Sequence, residues 1–221
     1  MPSKNIVKIY VKDGIYHIYN RGVEKREIFL DDEDYRMFLY FLKRYLTPPE
    51  DPHQGKTSSQ VRPVRKLPTG RETEIYKEIR LLCYCLMPNH FHLMVQQLTE
   101  RAITDFMRRL INSYARYFNE KYKRVGSLFQ GRYKAVLIKK EIHFLHLPYY
   151  IHYNPSKLFD NKSDIKEKVK NYSWSSYADY LGKRNTSWIY KKELMDQFIE
   201  SEKQEIDFEN SKKLLGNLTL E

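Results

Sequence analysis

Cysteine is scarce in this chain: two in 221 residues, Cys83 and Cys85. No disulfide framework can be built from that pair. As i and i+2 on one strand they point the same way and are poorly placed to bond each other, so a reducing compartment is expected. No run of sequence approaches the roughly 18 apolar residues of a membrane span. The opening MPSKNIVKIYVKDG lacks an apolar core followed by a small-residue cleavage site, so no secretory signal is expected and the cytoplasm is the expected place. There is no H-E-x-x-H, which removes the usual helical zinc-hydrolase motif. There is no RNP-type aromatic motif of an RNA-binding sheet, and no internal repeat. Acids are in deficit too, with 28 Asp and Glu against 39 Lys and Arg, a formal charge of +11. That excess suits a polyanion, nucleic acid before an anionic membrane.

What is present is tyrosine, 19 copies, which serves base stacking as readily as core packing. Residues Gly14 to Asn20, GIYHIYN, alternate as a strand does. Asp31 to Leu46 begins with acids and ends with bases, as a helix dipole favours. Its apolar positions Tyr35, Phe38, Leu39 and Leu42 form one face. Leu46 to Ile75 holds five of the nine prolines and reads as a mobile insertion loop. Ile79 to Cys85 reads as a strand, MPN as a turn and HFHLMVQQ as the returning strand. Arg101 to Tyr122 reads as a helix with a stripe of Ile103, Phe106, Met107, Leu110, Tyr114, Tyr117 and Phe118. Ser127 to Ile138 ends in a β-like run. Lys140 to Asn154 reads as a helix in which Pro148 predicts a kink or restart.

The order β-α-β-β-α-β predicts an α+β fold. Its expected form is a ferredoxin-like antiparallel sheet with helices on one face, followed by an additional helix and a C-terminal helical extension. Residues 1–180 form the expected main domain, with 46–75 as its insertion, and 181–221 the extension. Charge concentrates after the hairpin: Arg101 to Lys140 carries eleven Lys or Arg and two acids. Aromatics are interleaved with them, the composition of a groove that follows a phosphate backbone and stacks bases. A solvated basic helix face gives the same composition.

In CLMPNHFHLMVQQ, His90 and His92 are two apart. On a strand they share a face, and Phe91 points into the other layer. Two imidazoles on one face can hold a divalent cation if a third ligand comes from elsewhere. Two hydrogen-bonded histidines on a half-exposed strand fit the same spacing. Cys83 and Cys85 are near enough in sequence to join such a site as zinc ligands. In LPYYIHYNP, Tyr150 and Asn154 are i and i+4 on a helix and so are neighbours. A phenol and an amide oxygen would meet there.

The stretches YHIYNRGVEKREIF, CLMPNHFHLMV, SLFQGRYKAVLI, YIHYNP and YSWSSY occur in that order over about residues 14 to 180. Together they resemble the single-tyrosine transposases of the HUH superfamily, and most of all the REP-associated tyrosine transposases. The resemblance implies a metal-dependent single-stranded DNA endonuclease and strand transferase that acts at hairpins through a 5′-phosphotyrosine intermediate. It implies Tyr150 as nucleophile and His90 and His92 as ligands of Mg²⁺ or Mn²⁺. Asn154 stands where many relatives place glutamine and is the candidate third ligand, with His152 as the alternative. Tyr149 and then Tyr114 are the alternative nucleophiles. Candidates for backbone contacts to DNA are Arg21, Arg108, Arg109, Arg116, Lys121, Lys123, Arg124, Arg132 and Lys134. A single-stranded DNA hairpin or palindromic repeat is the expected partner, with the chain a monomer or homodimer and no membrane partner. Two other readings compete: a palindrome-processing nuclease that is not itself mobile, and a nucleic-acid-binding module that does not cut.

Overall fold

The computed structural model describes residues 10–49, 74–160, 164–203 and 208–216. Most of the expected insertion at 46–75 lies outside the described residues. β1 (Ile15–Arg21) is followed by a 3-10 turn and α1 (Asp32–Leu46). A one-turn α2 (Ile75–Glu78) leads into β2 (Ile79–Met87), β3 (His90–Gln97), α3 (Ala102–Lys121) and β4 (Lys134–Leu137). The sheet order is β2-β3-β1-β4, and every neighbouring pair is antiparallel. This is the ferredoxin-like order that the β-α-β-β-α-β reading predicts.

α1 starts where its sequence says it should. The Asp31 carboxylate accepts from Asp34 N at 3.0 Å, and the acids of the first turn are balanced by Lys43 and Arg44 in the last. α3 buries all seven residues of its expected stripe. Both helices lie on the sheet face that carries Phe91. There Phe38 packs against Phe91 with ring centroids 5.2 Å apart and against Tyr114 at 5.0 Å.

α4 (Glu141–Tyr153) covers the opposite face. It is buried without a break from His146 to Tyr153, as a helix enclosed on most sides must be. It runs through Pro148 as one element, so no restart occurs. A 3-10 turn, Asn154–Leu158, takes over at Pro155. The rest forms α5 (Ile165–Lys170), α6 (Tyr177–Tyr180), α7 (Lys192–Lys203) and α8 (Phe208–Leu215). The described part of the C-terminal helical extension packs onto the sheet and α4. Ile189 bridges to Leu81, Phe198 meets His152 and Tyr177, and α8 runs along α4.

β2 is one of the two edge strands, and an uncovered edge invites foreign pairing. The YSWSSY segment closes it. Leu86 N donates to Trp174 O at 2.9 Å, Ser176 N to Tyr84 O at 3.0 Å, and the Tyr172 and Tyr180 hydroxyls to Leu86 O and Leu82 O. Among the described residues no helix is long and apolar enough to cross a membrane.

Candidate active site

Strand register decides which side chains share the second face. His92 lies opposite Tyr19 on β1 and Cys85 on β2, and His90 lies opposite Arg21 and Met87. The face under α4 therefore carries His17, Tyr19 and Arg21, then Met94, His92 and His90, then Cys83, Cys85 and Met87. The His90 and His92 rings meet edge to face with centroids 4.9 Å apart. α4 lowers Tyr150 onto them. Its ring is fully buried and T-shaped to His92 at 5.7 Å and to His17 at 6.2 Å. The histidine pair and the tyrosine, 58 residues apart in sequence from His92 to Tyr150, are brought into one cluster.

Two buried atoms here have no hydrogen-bond partner among the described residues: His92 Nε2 and Asn154 Oδ1. Asn154 donates through Nδ2 to the Tyr150 carbonyl at 3.1 Å, which pins the amide and leaves the oxygen. Its link to Tyr150 thus runs to the backbone, not to the phenol. Burial, then repulsion from His90, His17 and Lys157, holds the His92 pKa well below the ordinary imidazole range. A neutral imidazole with a bare nitrogen and an amide oxygen are the donors that a divalent cation takes. Among the described residues no three His, Cys, Asp or Glu side chains form a metal-holding group. Asn154 carries an amide oxygen, a ligand type outside that set.

The alternatives fall into other places. His152 turns away: its Nε2 lies 2.9 Å from Ser176 Oγ and its ring stacks on Tyr177. Tyr149 stacks on Tyr153 at 4.3 Å. Tyr114 lies on the Phe91 face and donates to the Ile28 carbonyl, and burial drives its pKa up. Cys83 and Cys85 are buried on the histidine face, and burial pushes both thiols up.

The basic residues divide. Arg21 is on the histidine face, with its Nε 2.7 Å from Gln130 Oε1, and Lys134 pairs with Tyr19 on the same face. Lys123, Arg124 and Arg132 lie in the connection between α3 and β4. Arg108, Arg109 and Arg116 are on α3, across the sheet from Tyr150, and Arg108 pairs with Asp105. Lys121 departs from the expectation of a phosphate contact. Its ammonium is held by Asp31, Glu33 and Asp34 at 2.8 to 3.0 Å, so its charge is spent tying α3 to the start of α1.

Three contributors were absent from the sequence reading. His17 Nε2 lies 2.9 Å from His92 Nδ1. Asn89 Oδ1 accepts from His90 Nδ1 at 2.6 Å. Phe208 of α8 stacks flat on Tyr150, interplanar angle 3°. Asn89 had a signal, since it sits in the quoted PNH turn. His17 had only its place in a strand, and Phe208 had none.

Residues 69–154 match the family model described as transposase, IS200-like. The chain resembles the single-tyrosine transposases. A solved REP-associated tyrosine transposase bound to a REP hairpin is 14% identical. The match covers 83% of this chain and 88% of that one, with a TM-score of 0.52. At that identity it establishes the shared transposase fold. A candidate transposase from Deinococcus radiodurans R1 is 16% identical over 68% of this chain and 95% of that one, and its TM-score of 0.38 carries no weight. No curated protein matches the chain.

Proposed function

We propose that this transposase-like chain is a metal-dependent single-stranded DNA endonuclease and strand transferase with Tyr150 as its nucleophile. One observation carries the reading: Tyr150 is set edge-on to His92, 5.7 Å between centroids, beside two buried donor atoms that the described residues leave without partners. Such atoms cost about 1–3 kcal/mol each when unpaired, and a ligand that engages them explains why they are kept.

His90, His92 and Asn154 would hold Mg²⁺ or Mn²⁺. The bound cation supplies Lewis-acid polarisation of the scissile phosphate and offsets charge on its oxygens. The Tyr150 oxygen attacks phosphorus. A tyrosine–phosphorus bond forms, the bond from phosphorus to the 3′ oxygen breaks, and the phenol proton is balanced by protonation of the departing 3′ oxygen. The product is a 5′-phosphotyrosine link and a free 3′-OH. A 3′-OH then attacks the link, expels the tyrosine and rejoins the strand. No nucleotide is consumed, because the phosphotyrosine bond retains the energy of the cut. Arg21 and Lys134 would neutralise phosphates near the cut, and Lys123, Arg124 and Arg132 would follow the strand outward. The preferred substrate is a hairpin with a single-stranded flank, by analogy with the hairpin named for the structural neighbour.

The test uses end-labelled hairpins incubated with the full chain and Mg²⁺ or Mn²⁺, resolved on a denaturing gel. A covalent protein–DNA band is expected that requires metal and disappears in Tyr150→Phe and in His90→Ala. Cleavage that survives Tyr150→Phe removes Tyr150 from its role. Tight binding with no covalent band on any hairpin replaces the nuclease with a binding module.

A further inference from the structure

His17 has no part in the chemistry just proposed, yet it is among the most deeply buried polar residues of the chain. It lies on β1 beside His92, with ring centroids 5.0 Å apart and an 18° interplanar angle. Its Nε2 is 2.9 Å from His92 Nδ1. A bond between two imidazole nitrogens carries one proton, so one ring donates and the other accepts. The two choices leave different chemistry at the far side of His92. With His92 Nδ1 as acceptor, neutral His92 carries its proton on Nε2, where the described residues provide no acceptor. With His92 Nδ1 as donor, Nε2 is a bare lone pair, and the buried proton is gone.

His90 displays the second pattern with no choice left open. Asn89 Oδ1 is an amide oxygen and can only accept, so at 2.6 Å His90 donates through Nδ1 and bears its lone pair on Nε2. Asn89 is itself fixed, since its Nδ2 donates to Lys25 O at 3.1 Å. Histidines that bind metals are held in this way, by a partner that accepts the N–H of the far nitrogen. One histidine of the pair has an amide for that partner. The other has His17.

We infer that His17 is a positioning residue: it accepts from His92 Nδ1–H and so fixes His92 as the tautomer whose bare Nε2 is presented to the cation. The inference rests on the proposal that His90 and His92 bind a divalent metal. It also goes beyond packing. A ring that only filled space would be replaced by phenylalanine without effect on the metal.

The first readout is made on the metal-free full chain, labelled with ¹⁵N-histidine. Two-bond proton–nitrogen correlations report the tautomer of each ring, with His92 assigned by comparison with His92→Gln. The expected state of His92 is protonated at Nδ1 and bare at Nε2; a proton on Nε2 overturns the inference. The second readout is Mn²⁺ affinity, followed by the electron paramagnetic resonance of free Mn²⁺. His17→Phe should weaken binding by about 10- to 100-fold. His17→Gln, whose amide oxygen restores an acceptor, should recover most of the loss. Hairpin binding without metal should match wild type in both. Equal Mn²⁺ affinity in wild type and His17→Phe overturns the inference. If His17→Phe does not fold, the wild-type tautomer still decides. A wild type that binds no Mn²⁺ defeats the metal reading itself and takes the inference with it, an outcome distinct from the other two.

Discussion

The two faces of the sheet come from the same strands, alternate residues going to each, and they treat buried polar atoms differently. On the Phe91 face the buried Asp34 carboxylate is saturated: Leu30 N, the Tyr117 and Tyr122 hydroxyls and the Lys121 ammonium all reach it. The Tyr114 hydroxyl is likewise matched by a carbonyl. Under α4, a few ångströms through the sheet, His92 Nε2 and Asn154 Oδ1 have no partner among the described residues. A core built for stability alone would not keep them, because each costs about 1–3 kcal/mol. One face holds the fold together, and the other carries unfinished bonding beside the proposed nucleophile.

The comparison can be broken most severely at Tyr150. Tyr150→Phe removes one oxygen and keeps the ring, so the covalent DNA complex should fall by about 10³-fold or more with the thermal midpoint unchanged. A gel assay and a melting curve on the same sample check this, and a large loss of stability would make Tyr150 a core residue. The neighbouring pair Phe91 and His92 divides the two faces more sharply. Phe91→Ala should cost about 3–5 kcal/mol by denaturant titration. His92→Gln should stay within about 1 kcal/mol of wild type while abolishing metal-dependent cleavage. Equal destabilisation by the two would erase the distinction.

Acid tests the helix over the site. Burial holds His152 at a pKa of about 3, well below the usual 6.5. The unfolded chain therefore binds the extra proton first. The stability from neutral His152 is complete above about pH 6.5 and is lost as pH falls toward 3, by on the order of 1.4 kcal/mol per pH unit. Thermal midpoints measured from pH 7 to 4 should fall, and His152→Gln should flatten the slope. The smallest effect is expected at α8, whose Phe208 stacks on Tyr150. Phe208→Ala removes a stacked ring worth about 0.5–1.5 kcal/mol, and cleavage should rise about two- to tenfold. An unchanged rate would show that Phe208 does not limit access to Tyr150.

Much of this was legible in the chain. The acids and bases of Asp31 to Leu46 fixed that helix, and the seven-residue stripe of Arg101 to Tyr122 was buried in full. The H-x-H spacing placed His90 and His92 on one face because strand geometry leaves no other outcome. The role of His17 was hidden because its partner is 75 residues away, and only strand register makes them neighbours. Lys121 looked like its basic neighbours because the acids that claim it belong to another helix. The contact between Phe208 and Tyr150 was hidden because one aromatic in a polar tail has no periodicity to read.

The loop after β1 bears on how such a site could be moved between proteins. Gly22 N donates to Asn89 O at 2.9 Å, and Ile28 N and Phe29 N both reach Pro88 O. A Cβ on Gly22 would sit 2.2 Å from the Arg26 carbonyl oxygen, so the loop can close around the hairpin turn only with glycine there. The turn that aims His90 is therefore hung from a segment 59 to 67 residues upstream. Grafting the histidine hairpin alone into a new scaffold would transfer the histidines without their mount. The smallest transferable piece is the two segments together, YNRGVEKREIF and LMPNHFH, and a library that varies one while holding the other fixed will mostly sample misaligned histidine pairs.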